Sequence, residues 1–279
     1  MTTNQRTVGS RDGTPIAVFS SGVGPPLVLV HGATADHTTW RTAGPLLEPR
    51  FRLHAIDRRG RGASGDGPSY TIEREYEDLA AVADAVAAEA GVPVDVVGHS
   101  YGGRCALGAG LLTASIGRLV VYEGAPSPAS VAAGGSGYRP SGVEARIAEL
   151  IEAGDRDAAL ETFMREIVRM PAADLAAFRA NPIWPIRAAA VGTTLRELEG
   201  EASPAASLEA LGRLDVPVLQ VLGGDSAAPF AEATAALDAR LLDGRVVVID
   251  GARHAAHHTH AAEFVAAVEA FLGDADMAD

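Results

Sequence analysis

Lysine is absent from the 279 residues, cysteine occurs once, and aromatic residues make up only 5%. With Cys105 as the only cysteine, no intramolecular disulfide can form, so the chain needs no oxidising compartment to fold. Positive charge is scarce as well: 23 basic residues, all arginine, stand against 36 acidic ones, for a formal net charge of −13. Phosphate backbones are bound through clustered Lys and Arg, so a nucleic-acid partner is not expected. The acids are scattered along helical patterns instead of forming a tail. No run approaches the 18 apolar residues of a membrane span, and the opening MTTNQRTVGSRDG lacks the apolar segment of a signal peptide. These absences lead to the expectation of a soluble, cytoplasmic, globular protein, monomer or homodimer, that handles a small molecule. Richness in Ala, Gly and Arg without Lys fits a GC-rich bacterial genome.

What is present is a strand–helix rhythm. Hydrophobic residues make up 47% of the chain, enough for a full core. Seven short runs read as strands: 16–22, 26–32, 51–57, 94–100, 118–124, 217–224 and 245–251. Five are nearly continuous apolar runs, the pattern of strands buried on both faces of a parallel sheet. Helical patterns cover 72–91, 100–113, 229–241 and 260–273, so the expected fold is α/β, a doubly wound and mostly parallel sheet. From Pro126 to Leu214 no strand pattern occurs. A Gly/Ser/Pro-rich stretch at 127–142 is followed by helical patterns, which predicts a helical lid, 126–214, set into a core of 1–125 and 215–279. The terminal DADMAD is expected to fray.

Gly98-His99-Ser100-Tyr101-Gly102 fits the G-x-S-x-G nucleophile elbow in its required context, after a strand and before a helix. Small flanking residues let neighbouring backbone approach a serine held on a tight turn. The helix N-terminus then points free N–H groups at a developing oxyanion. His31-Gly32-Ala33 closes the strand 26–32, where this architecture needs a second donor. The backbone N–H groups of Ala33 and Tyr101 are the expected pair.

HGATADHTTW, IDRRGRGASG, VVGHSYGG and IDGARH together resemble the α/β-hydrolase superfamily, a likeness that spans residues 8–272. The resemblance implies a serine hydrolase without cofactor or metal. His254, after the last strand, stands at the family's position for the general base. In many members the acid follows the strand 217–224, three residues after its first glycine, but that count lands on Ser226, with Asp225 one residue early. Some branches, among them haloalkane dehalogenases and certain lactone hydrolases, carry the acid after the preceding strand, where Glu123 stands. Glu123 is therefore favoured, with Asp225 as the alternative. The turn at Asp57–Gly62 is expected to hold its loop through backbone hydrogen bonds, and His31 and His99 to be structural. His257, His258 and His260 read as the first turn of a helix, since no Cys or carboxylate completes a metal set. Cys105 is expected to be buried and inert.

Serine at position 100, where dehalogenases and epoxide hydrolases of this fold carry aspartate, argues against both of those chemistries. An ester or lactone of an apolar small molecule, cleaved through an acyl-enzyme, is the leading expectation. Carbon–carbon bond hydrolysis is the alternative, favoured if a lid arginine such as Arg187 or Arg139 faces Ser100. A non-hydrolytic tailoring enzyme or small-molecule receptor is the third reading. Trp40, Met164, Trp184 and Ile186 are the expected pocket residues, with Phe163, Met170 and Phe178 as further large apolar lid side chains.

Overall fold

Eight strands form a single sheet in the computed structural model, which describes residues 4–128 and 140–273. Most of the Gly/Ser-rich stretch 127–142, including Arg139, and the terminal DADMAD lie outside the described residues. The strands are β1 (Asn4–Gly9), β2 (Pro15–Ser21), β3 (Pro26–Val30), β4 (Arg52–Ile56), β5 (Val94–His99), β6 (Ile116–Tyr122), β7 (Val218–Gly223) and β8 (Gly244–Ile249). Their order across the sheet is β1-β2-β4-β3-β5-β6-β7-β8. β2 pairs antiparallel with β1 and β4, and every other pairing is parallel. The chain moves outward from β3 to β4 and then returns to place β5 on the other side of β3. The carboxyl ends of β3 and β5 thus flank the switch point where open α/β sheets bind ligands.

Alternation along the strands separates two apolar layers. Val28, Val30, Val94, Val96, Leu119 and Val121 pack with Leu79, Val82 and Leu107 of the helices Ile72–Ala90 and Tyr101–Gly110. Leu27, Leu29, Val97, Val120 and Tyr122 pack on the other face with Phe264 and Val268 of the helix Ala261–Gly273. The helix Ile72–Ala90 shows why these segments are helical. Thr71 caps its N-terminus by accepting from the Arg74 N–H, Glu73 and Glu75 occupy the first turn, and Gly91 ends it at φ 72°.

Both edges of the sheet escape the sequence pattern. β1, with the sequence NQRTVG, has no apolar run to announce it and lies at the sheet edge with alternate residues exposed. β8 reads as a strand with no place assigned to it; it is the opposite edge, and Val246, Val247 and Val248 are all exposed. A run of valines fits either place, because β propensity does not report which strand ends the sheet.

Between β6 and β7 the described residues contain helices from Val143–Glu152 to Leu208–Leu211 and no strand. Ile147, Leu160, Phe163, Trp184 and Val191 give these helices an apolar core of their own, and Ala33 packs against it. A buried ionic cluster ties them to the sheet. Glu197 accepts from Arg58 and, at 2.7 Å, from Arg61, while Arg58 also donates to Glu75 at 3.0 Å. Asp57 holds its own turn by accepting from the His37 and Ala63 backbone N–H groups, each at 2.8 Å. Replacing Glu197 by alanine strands the buried Arg61 guanidinium and leaves Arg58 with Glu75 alone, with an expected loss of about 3–5 kcal/mol in chemical denaturation. No described helix is long and apolar enough to cross a membrane.

Candidate active site

Ser100 follows directly on β5 and caps the helix Tyr101–Gly110, with φ 53° and ψ −124°. A non-glycine residue in this region is strained, and the surroundings fix it there. A Cβ on Gly98 would come within 2.6 Å of the Gly102 carbonyl oxygen, and one on Gly102 within 2.3 Å of the His31 carbonyl oxygen. The turn therefore closes only with glycine, which has no Cβ, at both positions. Glu123 follows directly on β6, also at positive φ (49°), and its backbone N–H donates to Val221. His254 follows β8 by five residues.

The three side chains meet. The Glu123 carboxylate, fully buried, accepts from His254 Nδ1 at 2.6 Å, and His254 Nε2 lies 3.0 Å from Ser100 Oγ. Because a carboxylate only accepts, Nδ1 carries the proton and Nε2 is left to accept from the serine hydroxyl. The second Glu123 oxygen accepts from the Gly223 N–H at 2.8 Å and from Ser226 Oγ at 2.5 Å. Ser226, at the position where the acid would follow β7, thus buttresses an acid supplied by β6. Asp225 points elsewhere: half-exposed, it lies 3.7 Å from Arg253.

Several contacts fix the His254 ring and loop. Phe230 stacks on the imidazole, with centroids 4.4 Å apart. His99 Nε2 donates to the His254 carbonyl at 2.7 Å. The Tyr122 hydroxyl donates to the Arg253 carbonyl and accepts from the Ala256 N–H at 2.9 Å. His31 Nδ1 donates to the Gly32 carbonyl at 2.8 Å, leaving Nε2 to accept from the Arg58 N–H at 3.0 Å. His31 and His99 are therefore both committed to backbone.

A cavity of about 470 Å³ opens over Ser100. Ala33 and Ser100 share its wall, and neither the Ala33 nor the Tyr101 N–H donates to a described group of the protein. Gly32 lets Ala33 lie this close: a Cβ there would meet Ser100 Cβ at 3.1 Å. Phe163, Met164, Val168, Met170, Phe178, Ile183 and Phe230 supply the apolar lining.

Three expected pocket residues do not line the cavity. Trp40 is buried in the sheet core beside His257 and Phe264. Trp184 is core among the inserted helices, its Nε1 donating to Asp157 at 2.6 Å. Ile186 is 52% exposed. Met164 is the one of the four that faces the space. Phe230 and Ser226 were missed as site residues; for Ser226 the signal was its place three residues after Gly223.

Among the described residues, the one set of three ligating atoms close enough for a metal ion is Asp36, His37 and Asp57; His257, His258 and His260 do not converge in this way. Both Asp57 oxygens already accept from protein N–H groups. Cys105 is buried, and burial holds its thiol well above the ordinary value, so it stays protonated.

Burial holds His31, His99 and His257 well below the ordinary histidine pKa of 6.5, and pushes His54 and His258 down to about 4. Between pH 6.5 and about 4 the unfolded chain therefore binds protons that the folded chain refuses. Stability from these groups is complete above pH 6.5 and is lost as pH falls through that window. At His37 burial is outweighed by the Asp57 carboxylate at 2.8 Å, which raises the pKa and acts in the opposite sense, but for one histidine against five. Thermal midpoints recorded from pH 7.5 to 4.5 are expected to drop steeply below 6.5, by on the order of 1 kcal/mol or more per buried histidine at pH 5.

The α/β hydrolase family model matches residues 27–268. A pimeloyl-[acyl-carrier protein] methyl ester esterase of Neisseria meningitidis serogroup B is 29% identical over 254 residues, covering 88% of this chain and 91% of its own. An α/β hydrolase of Sphaerobacter thermophilus, solved by crystallography, superposes with a TM-score of 0.78 at 32% identity, over 94% of this chain and all of the other. A hydrolase of Pseudomonas aeruginosa superposes at 0.75 with 23% identity, over 97% and 98%, a likeness of fold. With a sheet, an elbow and a sequence that match over nearly the whole length, the chain belongs to the α/β hydrolase family.

Proposed function

We propose that the protein is a serine hydrolase that cleaves a carboxylic ester or lactone of a small molecule through an acyl-enzyme. The observation that carries this reading is the His254 ring bridging Glu123 and Ser100 at 2.6 and 3.0 Å. Ser100 Oγ attacks the carbonyl carbon while His254 Nε2 takes its proton. The Ala33 and Tyr101 N–H groups receive the tetrahedral oxyanion. Collapse of the intermediate expels the alcohol, which takes the proton back from His254. Water then attacks the acyl-enzyme with His254 again as base, releasing the acid and free Ser100. Glu123 holds the imidazole tautomer and offsets the charge of the imidazolium. The inserted helices, from Val143–Glu152 to Leu208–Leu211, act as a lid that excludes bulk water from these steps. The Neisseria relative, named for methyl ester cleavage, supports ester chemistry.

Arg187 in the cavity wall favours one second reading, carbon–carbon hydrolysis of a carboxylate-bearing diketone or dienoic acid by the same side chains. The test is turnover of a panel of aryl esters, alkyl esters, lactones and such diketones, with Ser100→Ala as the blank. Ester or lactone turnover lost in the blank supports the proposal. Diketone turnover alone moves the reading to carbon–carbon cleavage. Silence across the panel, with tight binding of a panel member, points to a receptor or tailoring role.

A further inference from the structure

The cavity contains a cation with no matching anion. Four arginines line it, and three are accounted for. Arg253 lies between Asp174 at 3.0 Å and Asp225 at 3.7 Å, Arg169 is engaged in another contact, and Arg41 is exposed, its guanidinium 3.5 Å from the Thr38 carbonyl. Arg187, half-buried on the inserted helix Trp184–Ala190, makes one hydrogen bond, donating Nη2 to Thr39 Oγ1 at 3.1 Å. Among the described residues no carboxylate lies within ion-pair distance of it.

A guanidinium left in this state is costly to the free protein. Thr39, its only hydrogen-bond partner among the described residues, also sits 3.3 Å from the imidazoles of His257 and His258. Burial holds both rings neutral, so they add no like charge beside it, and an imidazole has no negative charge to offer. Burial also lowers the Arg187 pKa to about 10, which leaves it charged at neutral pH. Asp36, whose charge acts on it from beyond ion-pair distance, spends its Oδ1 on the N–H and hydroxyl of Thr38. The remaining donors of the planar guanidinium are free for a ligand in the same space as Ser100. A fork of this shape matches a carboxylate through two parallel hydrogen bonds. Arg41 also lacks an acid but is exposed to solvent, so Arg187 is the half-buried cation left without an anion amid Phe163, Met164 and Phe230, which suits a single negative charge on an otherwise apolar body.

We propose that Arg187 binds a carboxylate of the substrate, so that the molecules hydrolysed at Ser100 are monoanions: apolar esters that carry one free carboxylate besides the scissile group. This deepens the serine-hydrolase reading and rests on it for turnover, but not for binding. The charged group offsets the stranded guanidinium, and the apolar body fills the space between it and Ser100. Neutral esters of the same size leave Arg187 unpaired on binding and are discriminated against for that reason.

Two measurements test the proposal separately from its parent. In the first, kcat/KM is compared among phenyl hexanoate, the monophenyl esters of aliphatic diacids, and 4-(hexanoyloxy)benzoate, which carries its carboxylate on the leaving group. The wild type is expected to prefer at least one anionic ester over the neutral one by about 10- to 100-fold, and Arg187→Gln to erase most of that ratio. Arg187→Lys, which keeps the charge without the fork, is expected to retain part of it. The ratio cancels any general damage from the substitution. A wild-type ratio near one, or a ratio unchanged in Arg187→Gln, overturns the proposal.

The second measurement needs no turnover. Hexanoate and hexanamide are titrated calorimetrically into Ser100→Ala with Arg187 intact and with Arg187→Gln. Preference for hexanoate that disappears with the arginine supports the carboxylate site even if no ester is hydrolysed, in which case the parent reading alone has failed. Equal binding of the two, or preference independent of Arg187, overturns the site.

Discussion

Exchange of Ser100 for alanine is expected to lower kcat for any ester the protein hydrolyses by about 10⁶-fold, as loss of the nucleophile does in serine hydrolases. The physical reason is the absence of a second group in reach. Cys105 is buried and protonated in the interior of the helix Tyr101–Gly110, and Ser226 already donates its hydroxyl to Glu123. Residual rate above water would come from the Ala33 and Tyr101 donors and from binding alone. The fold is not expected to suffer: alanine keeps the backbone at position 100 and removes one hydroxyl from the cavity wall. Steady-state kinetics with the melting temperature as control measures both.

Glu123→Gln is expected to cost about 10³ to 10⁴ in kcat, with a far smaller change in KM. An amide presents a donor where the carboxylate accepted, so the His254 proton moves to Nε2 and the ring can no longer receive a proton from Ser100. Asp225→Asn is expected to leave the rate within the same order of magnitude, because Asp225 is exposed beside Arg253 and only an outer charge is lost. Ser226 supplies a sharper form of the same test. Its hydroxyl lies 2.5 Å from Glu123 Oε1, so an aspartate at 226 places a carboxylate beside the space the glutamate leaves. The double exchange Glu123→Ser with Ser226→Asp is expected to recover at least about tenfold over Glu123→Ser alone. A severe Asp225→Asn together with a mild Glu123→Gln would reverse the assignment of the acid.

The residues that could be read from sequence are those whose role is enforced by backbone geometry. The elbow is legible because Gly98 and Gly102 leave no room for a Cβ, and because a buried parallel strand such as β5 is a continuous apolar run. Glu123 is legible because a carboxylate directly after the apolar residues of β6 has no role in a strand core. The cavity was not legible. Met164, Trp184 and Ile186 all sit on helices between β6 and β7, yet one lines the space, one is core and one is exposed. Periodicity says that a helix has an apolar face, but not which partner that face meets. Trp40 failed for a related reason: its place beside the oxyanion loop says nothing of its side-chain direction, and it turns into the sheet core. β1 was missed because a polar, half-exposed edge strand has no core to fill and so no apolar signature. The histidine-rich segment 254–260 divides in the same way. His254 is fixed by its distance from β8, whereas the burial of His257 between Trp40, Tyr122 and Phe264 depends on contacts far apart in sequence.

The central claim is that Ser100 is a nucleophile activated through His254 and Glu123. It is tested most directly by intact-mass spectrometry after exposure to an aryl fluorophosphonate, which reacts only with an activated serine and requires no knowledge of the substrate. The account predicts a single phosphonyl adduct, mapped by peptide digestion to Ser100, absent in Ser100→Ala and formed far more slowly in Glu123→Gln. A folded wild-type protein that remains unlabelled, or an adduct on any other residue, would contradict it.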